Sequence, residues 1–246
     1  MAEALRIGWR QYRLERRMFW RNPVAAFFNF ALPLIFLFLF GAIYASDQDV
    51  LDVLLPGIAG MSVVSATFVA VAHNLVFLRE TGILKRLRGT PMPGSSYLGA
   101  LAAHAVTNAA VQLAIVILAG KLVFEIGWPR DWAALAVFAI AGVTCFALLG
   151  TALAHLIPNA DSAPAYVNAV FLPLIAISGV FYDVEESPSI LRDFAEALPL
   201  THLIDGLSGA MVTGAVDWSD LVVVALWTLA GAFLAVRGFR WDSRRD

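Results

Sequence analysis

The chain has 246 residues, of which 60% are hydrophobic and 15% charged, with a mean hydropathy of +0.75. Soluble domains carry about 25% charged residues, so this composition excludes an ordinary water-soluble domain and defines an integral membrane protein. The net charge of −2 conceals a strong asymmetry along the chain, and the single cysteine, Cys145, excludes an internal disulfide.

In chain order, residues 1–22 come first. Leu5, Trp9, Tyr12 and Arg16 follow helical spacing, with Arg6, Arg10, Arg13 and Arg17 beside them. The pattern predicts an amphipathic helix on the inner leaflet, with Trp and Tyr at headgroup depth and Arg on anionic lipid; a solvated basic tail is the plainer alternative. It is a poor signal peptide, because its basic region is long and contains acids.

About 20 apolar residues cross a hydrocarbon core of about 30 Å as a helix. Six segments are expected to span: Pro23–Ala45, Val53–Leu78, Tyr97–Phe124, Trp132–Ile157, Pro164–Tyr182 and Leu221–Arg237. Helices are the expected form, because their backbone groups are satisfied internally. The fold class is therefore an all-α membrane protein, a single domain over residues 1–246 without a tandem repeat. The connection 183–220 holds two shorter amphipathic patterns. One is Ile190, Leu191, Phe194 and Leu198; the other is Leu200, Leu203, Ile204, Leu207 and Met211. Neither is long enough to span, so a re-entrant or interfacial helix pair is expected there.

Basic residues divide by side. The first tail has Arg6, Arg10, Arg13, Arg16, Arg17 and Arg21. The loop after the second span adds Arg79, Lys85, Arg86 and Arg88, and the last tail adds Arg237, Arg240, Arg244 and Arg245. These are 14 of the 17 Lys and Arg; Lys121, Arg130 and Arg192 fall on the other side. Positive-inside bias then places both termini in the cytoplasm. Asp47, Asp49, Asp52, Asp183, Glu185 and Glu186 gather outside.

The span interiors contain no Asp, Glu, Lys or Arg, which argues against a proton relay or a charged pore. There is no Gly-x-x-x-x-Gly-Lys-Ser/Thr loop for ATP and no His-Glu-x-x-His or cysteine pair for a metal. His104-x-x-x-Asn108 and Gly206-Leu-Ser-Gly209 are similar to fragments of rhomboid proteases, but no histidine follows Ser208 to activate it. The chain is therefore read as non-catalytic.

His104, Asn108 and Gln112 recur every four residues in the third span. The stripe can line a path or join helices by hydrogen bonds. Phe27, Phe28, Phe30, Phe36, Phe38 and Phe40 crowd the first span, facing lipid or a partner, and Pro33 and Pro173 lie within spans. His202 and Asp205 share one helix face, either as a satisfied pair or solvent-facing charge, or as a substrate-contacting or external gate pair.

The loop 79–93 is basic and amphipathic. Ile83, Leu84 and Leu87 share one helical face, Arg79, Lys85, Arg86 and Arg88 flank it, and Gly89, Thr90, Pro91 and Pro93 stop it. Such a segment can dock its apolar face in a groove while its charges set orientation. Its sequence, Glu80-Thr-Gly-Ile-Leu-Lys-Arg-Leu-Arg-Gly-Thr-Pro91, resembles the Glu-x-Gly-x-Leu-x-Arg-Leu-x-x-x-Pro of type-2 ABC exporter permeases, with Ile83 where threonine is usual. Ile177-Ser-Gly-Val-Phe181 and Leu198-Pro-Leu-Thr-His-Leu-Ile-Asp-Gly-Leu207 add to the resemblance, which covers essentially the whole chain. Within that family it looks most like exporters of daunorubicin-resistance type.

The resemblance implies a division of labour. Two permeases, identical or related, form a dimer in the inner (plasma) membrane of a bacterium, and two cytoplasmic ABC ATPases bind the ATP and Mg. ATP-driven closure passes through a coupling helix formed here by Arg79, Glu80, Gly82, Ile83, Leu84, Arg86 and Leu87. Lipid is a further partner; nucleic acid and a cofactor in this chain are not expected. An amphipathic drug-like or lipid-like cargo is implied. Export of a lipid or lipid-linked glycan, or a non-transporting scaffold, are the alternatives.

Overall fold

The computed structural model describes residues 2–21, 23–83, 86, 94–185 and 187–238. It is 82% helical, with no strand among the described residues. The helices, in chain order, are α1 (Ala2–Arg21), α2 (Pro23–Ile43), α3 (Gln48–Glu80), α4 (Gly94–Phe124), α5 (Trp132–Ala154), α6 (Ala163–Ile177), α7 (Ser189–Glu196), α8 (Pro199–Ser208) and α9 (Ser219–Gly238).

Local chemistry sets several boundaries. Asp47 caps α3 by accepting from the Val50 amide at 3.3 Å. Asp131 caps α5 more fully, accepting from Ala133 and Ala134 at 2.9 Å each. Both satisfy amides that a helix start leaves unpaired. At its other end α3 closes on Gly82, whose φ of +69° is open to glycine at little cost.

Among the described residues, four helices are long and apolar enough to cross a membrane: α3, α4 over Gly99–Phe124, α5, and α9 over Ser219–Arg237. Phe30–Ile43 within α2 and Ala163–Ile177 are shorter apolar stretches. The expected fifth span ran to Tyr182, but α6 has 15 residues, about 22 Å at about 1.5 Å per residue. It ends there because Gly179 takes a φ of +74° and turns the chain out of the helix. Among the described residues, four of the six expected spans appear as long apolar helices, and the first lies on α2, a helix of 21 residues.

α3 is the hub. Of its apolar window 83% is buried, against 17% for α9, so α3 is wrapped by the others while α9 shows most of its surface outward. A π-helical turn at Ser65–Val69 interrupts α3. Within and beside it, the Thr67 and Ser62 hydroxyls donate to Val63 O and Ala59 O at 2.6 and 2.7 Å, so no water is needed to satisfy them. Two glycines set the closest approaches. A Cβ on Gly57 would lie 2.1 Å from Val180 O, and one on Gly150 would lie 2.6 Å from Phe68 O. Small residues let backbones meet in this way where lipid gives no hydrophobic drive between helices.

The amphipathic pair of the 183–220 connection is present. α7 shows Ile190 and Phe194 to the surroundings, while α8 buries Leu200, Leu203 and Leu207 completely. α8 packs on α3, α5 and α9, so it is a core element rather than a surface one. Phe36 and Phe40 are taken up internally, with ring centroids 5.0 and 5.1 Å from Phe181; Phe27 and Phe38 remain exposed.

Candidate functional site

Three groups of side chains carry the functional argument. The first lies at the end of α3. Arg79 donates through Nη1 to Ala154 O at 3.0 Å and through Nη2 to Ile157 O. Glu80 Oε2 accepts from the Ala160 amide at 2.5 Å. The two neighbours therefore clamp opposite ends of the α5–α6 connection. Arg79 meets carbonyls at the α5 C-terminus, where the helix dipole favours a cation, and Glu80 meets an amide just before α6, where it favours an anion. Beyond the clamp, Gly82 N donates to Arg79 O at 3.2 Å and Arg86 N donates to Gly82 O at 3.1 Å. Ile83 is half-buried and Arg86 is exposed. Leu84, Lys85, Leu87 and the stop at 88–93 lie outside the described residues. The sequence places Arg79 and Glu80 in the expected coupling helix; in the structure both hydrogen-bond to the α5–α6 connection, Glu80 while remaining exposed.

The second group is the polar stripe. Asn108 is 3% exposed and Gln112 1%. α1 lies along α4 and covers the stripe there. Arg16 Nη1 donates to Asn108 Oδ1 at 2.6 Å, Tyr12 Oη lies 3.1 Å from Thr107 Oγ1, and the Phe19 ring meets the His104 ring edge-on at 5.5 Å. The Asn108 amide nitrogen can only donate, so at 3.1 Å it makes His104 Nε2 an acceptor and puts the ring hydrogen on Nδ1. The stripe thus holds α1 to α4. Tyr12 and Arg16, expected at the leaflet, face the bundle instead, while Trp9 and Trp20 are exposed. In α1 burial raises the Glu15 carboxyl above its usual range, opposed by the hydrogen bond from Gln11.

The third group sits between α8 and α9. His202 Nδ1 lies 2.7 Å from Asp220 Oδ1, and its Nε2 lies 2.8 Å from Glu196 O. Asp205, the partner suggested by its i+3 spacing, is nearby but is not the hydrogen-bonded one. Asp220 escapes any periodicity because it stands 18 positions along the chain from His202. The hydrogen bond to Asp220 raises the His202 pKa. Burial of the Asp205 carboxyl, reinforced by the charge of Asp220, pushes it up to about 6, although the residue as a whole is exposed.

Both groups hold protons more tightly folded than unfolded. Their stabilisation is complete below the unfolded values and is lost as pH rises through the folded ones. For Asp205 that window runs from about pH 4 to about pH 6. In chelator, Asp205→Asn should therefore melt a few degrees above the parent at pH 7.5, the advantage shrinking to nothing near pH 4. The gain is on the order of 1 kcal/mol once solvent screening is allowed for. Parallel melting profiles from pH 4 to 8 would refute it.

A bundle of apolar helices, with the charged end of α3 bound to the α5–α6 connection, fits a transporter membrane subunit. Residues 6–212 match the family model described as ABC-2 type transporter, and the chain belongs to that family. It is 27% identical over 217 residues to Nodulation protein J of Rhizobium meliloti, covering 83% of this chain and 82% of the relative. The Sinorhizobium fredii Nodulation protein J is 27% identical over 156 residues, 63% of this chain and 59% of the relative. A probable multidrug ABC transporter permease, YbhS of Escherichia coli, is 26% identical over 133 residues, 53% of this chain and 35% of the relative. Against these last two, the match spans about three-fifths and one-third of the relative's length.

Proposed function

We propose that this chain is the membrane subunit of an ATP-driven exporter, powered by a separate cytoplasmic ABC ATPase that docks on the loop 79–93. The observation that carries the reading is the clamp of Arg79 and Glu80 on the α5–α6 connection. A push on the loop then moves α3, α5 and α6 together, because charged hydrogen bonds to backbone join them. The ATP and Mg belong to the partner. Two permeases, identical or related, enclose the pathway between them, and the outward apolar surfaces of α2 and α9 are available for lipid and for that partner.

The cargo is proposed to be amphipathic, drug-like or lipid-like. The spans offer aromatic, small and weakly polar side chains. Such walls cannot desolvate a small ion without a large cost, but they can bury apolar area at about 25 cal/mol per Å². Export of a lipid or lipid-linked glycan is an instance of the same chemistry.

Both termini are proposed to be cytoplasmic, on the distribution of 14 of 17 basic residues. In a Cys145→Ala background, an impermeant thiol reagent on intact cells should label single cysteines placed at Trp128 and Ser187. It should spare one at Arg88. Labelling at Arg88 would reject the orientation and, with it, a cytoplasmic docking loop.

A further inference from the structure

His202, Asp205 and Asp220 each bring one donor atom into a group whose members all lie within 4.8 Å of one another. The donors come from two elements, α8 and the first turn of α9. A third element fixes the ring. Glu196 O, at the end of α7, can only accept, so the Nε2 that faces it at 2.8 Å carries a hydrogen. That leaves Nδ1 as the nitrogen aimed at the carboxylates, 2.7 Å from Asp220 Oδ1. Metal-binding histidines are oriented in this way: the far N–H donates to a backbone carbonyl and sets the tautomer that points the other nitrogen at the metal. The Glu196 carbonyl lies outside the three ligands and is an independent part of the arrangement. Asp205 accepts no side-chain hydrogen bond among the described residues and is exposed. One cationic ring against two carboxylates also leaves the group net negative.

We propose that His202, Asp205 and Asp220 form a divalent-metal site of the zinc type that staples α8 to α9. An imidazole with two carboxylates suits zinc, and three protein ligands leave a fourth position to water. Without metal, Nδ1 carries a proton shared with Asp220. The ion takes the Nδ1 lone pair in its place and releases that proton to solvent, so the site balances as one metal bound for at least one proton lost. The distance of 2.7 Å must open slightly, because ligand bonds of about 2.1 Å on each side place neighbouring donors more than 3 Å apart. Side-chain rotation at Asp220 and the exposed Asp205 can supply this. Because most of α8 is buried against α3, α5 and α9, the ion would fix a polar seam that joins it to α9. In the exporter reading this seam faces the outside, but binding itself does not depend on that reading.

The test uses the purified full-length permease in detergent, stripped with chelator, without any ATPase. Titration with zinc chloride should show one saturable site in the micromolar range, with proton release and a rise in melting temperature. Cobalt(II) should give the visible absorption of a low-symmetry site containing nitrogen and oxygen. His202→Ala and Asp205→Asn should each weaken binding about 100-fold. Asp205→Asn is expected to fold at least as well as the parent, so its loss of binding cannot be put down to misfolding. Absence of saturable binding up to about 1 mM, or affinity unchanged in both variants, would overturn the site and leave an ordinary His–Asp ion pair. Failure of transport assays would not bear on this result, nor would failure here bear on transport.

Discussion

Arg79→Ala should leave the permease inserted and bound to its ATPase while ATP-driven transport falls about tenfold or more. Removing the guanidinium strips two carbonyls, Ala154 O and Ile157 O, of their charged donor. Hydrogen bonds to charged groups contribute about 1.5–3 kcal/mol each. A loss of only about 1.4 kcal/mol in the coupling free energy corresponds to tenfold. Lysine keeps the charge but lacks the planar fork, so Arg79→Lys should recover only part of the activity. Leu84→Asp acts at a different step. It places a charge on the expected docking face, and the ATPase should fail to co-purify. The pair of results separates clamp from handle: Arg79→Ala keeps the complex and loses work, Leu84→Asp loses the complex. Wild-type transport by Arg79→Ala would show that the clamp carries no force.

Gly57→Val should abolish the folded permease. A Cβ there would stand 2.1 Å from the backbone oxygen of Val180, which is fixed by the turn at Gly179 and cannot rotate away as a side chain does. Overpacking a tight core costs about 1–3 kcal/mol and sometimes more, and a backbone clash lies at the upper end. Gly99→Ala is the control. It sits in α4 with nothing within 4 Å of its Cβ position, so it should be neutral or stabilising by up to about 1 kcal/mol. Size-exclusion of detergent extracts and melting curves read both. A Gly57→Val protein that elutes and melts like the parent would contradict the packing of α3 on the Gly179 turn.

The helices were legible where physics is local. Hydrophobic length located α3, α4, α5 and α9, and the amphipathic patterns at Ile190 and Leu200 located α7 and α8. The early end of α6 was hidden because Gly179 lies within an apolar run, and periodicity does not register a single positive φ. The site was legible in composition but not in pairing. The polar stripe His104, Asn108 and Gln112 was evident from spacing; that Arg16 reaches it across 92 residues was not. The segment that resembles a coupling motif was evident from its residue types. That its first two charges face the α5–α6 connection depends on where α5 ends, a tertiary fact. His202 was paired with Asp205 on helical spacing, whereas chain folding delivers Asp220 to the ring.

The central claim is ATP-driven export of an amphipathic cargo through this chain. Its most direct measurement is reconstitution of the permease with its ATPase in proteoliposomes, followed by paired assays of ATP hydrolysis and cargo movement. Amphipathic compounds should stimulate hydrolysis and accumulate across the membrane only when ATP is present, while small sugars and inorganic ions should do neither. ATP-dependent movement of a simple ion, with no response to any amphipath, would contradict the account.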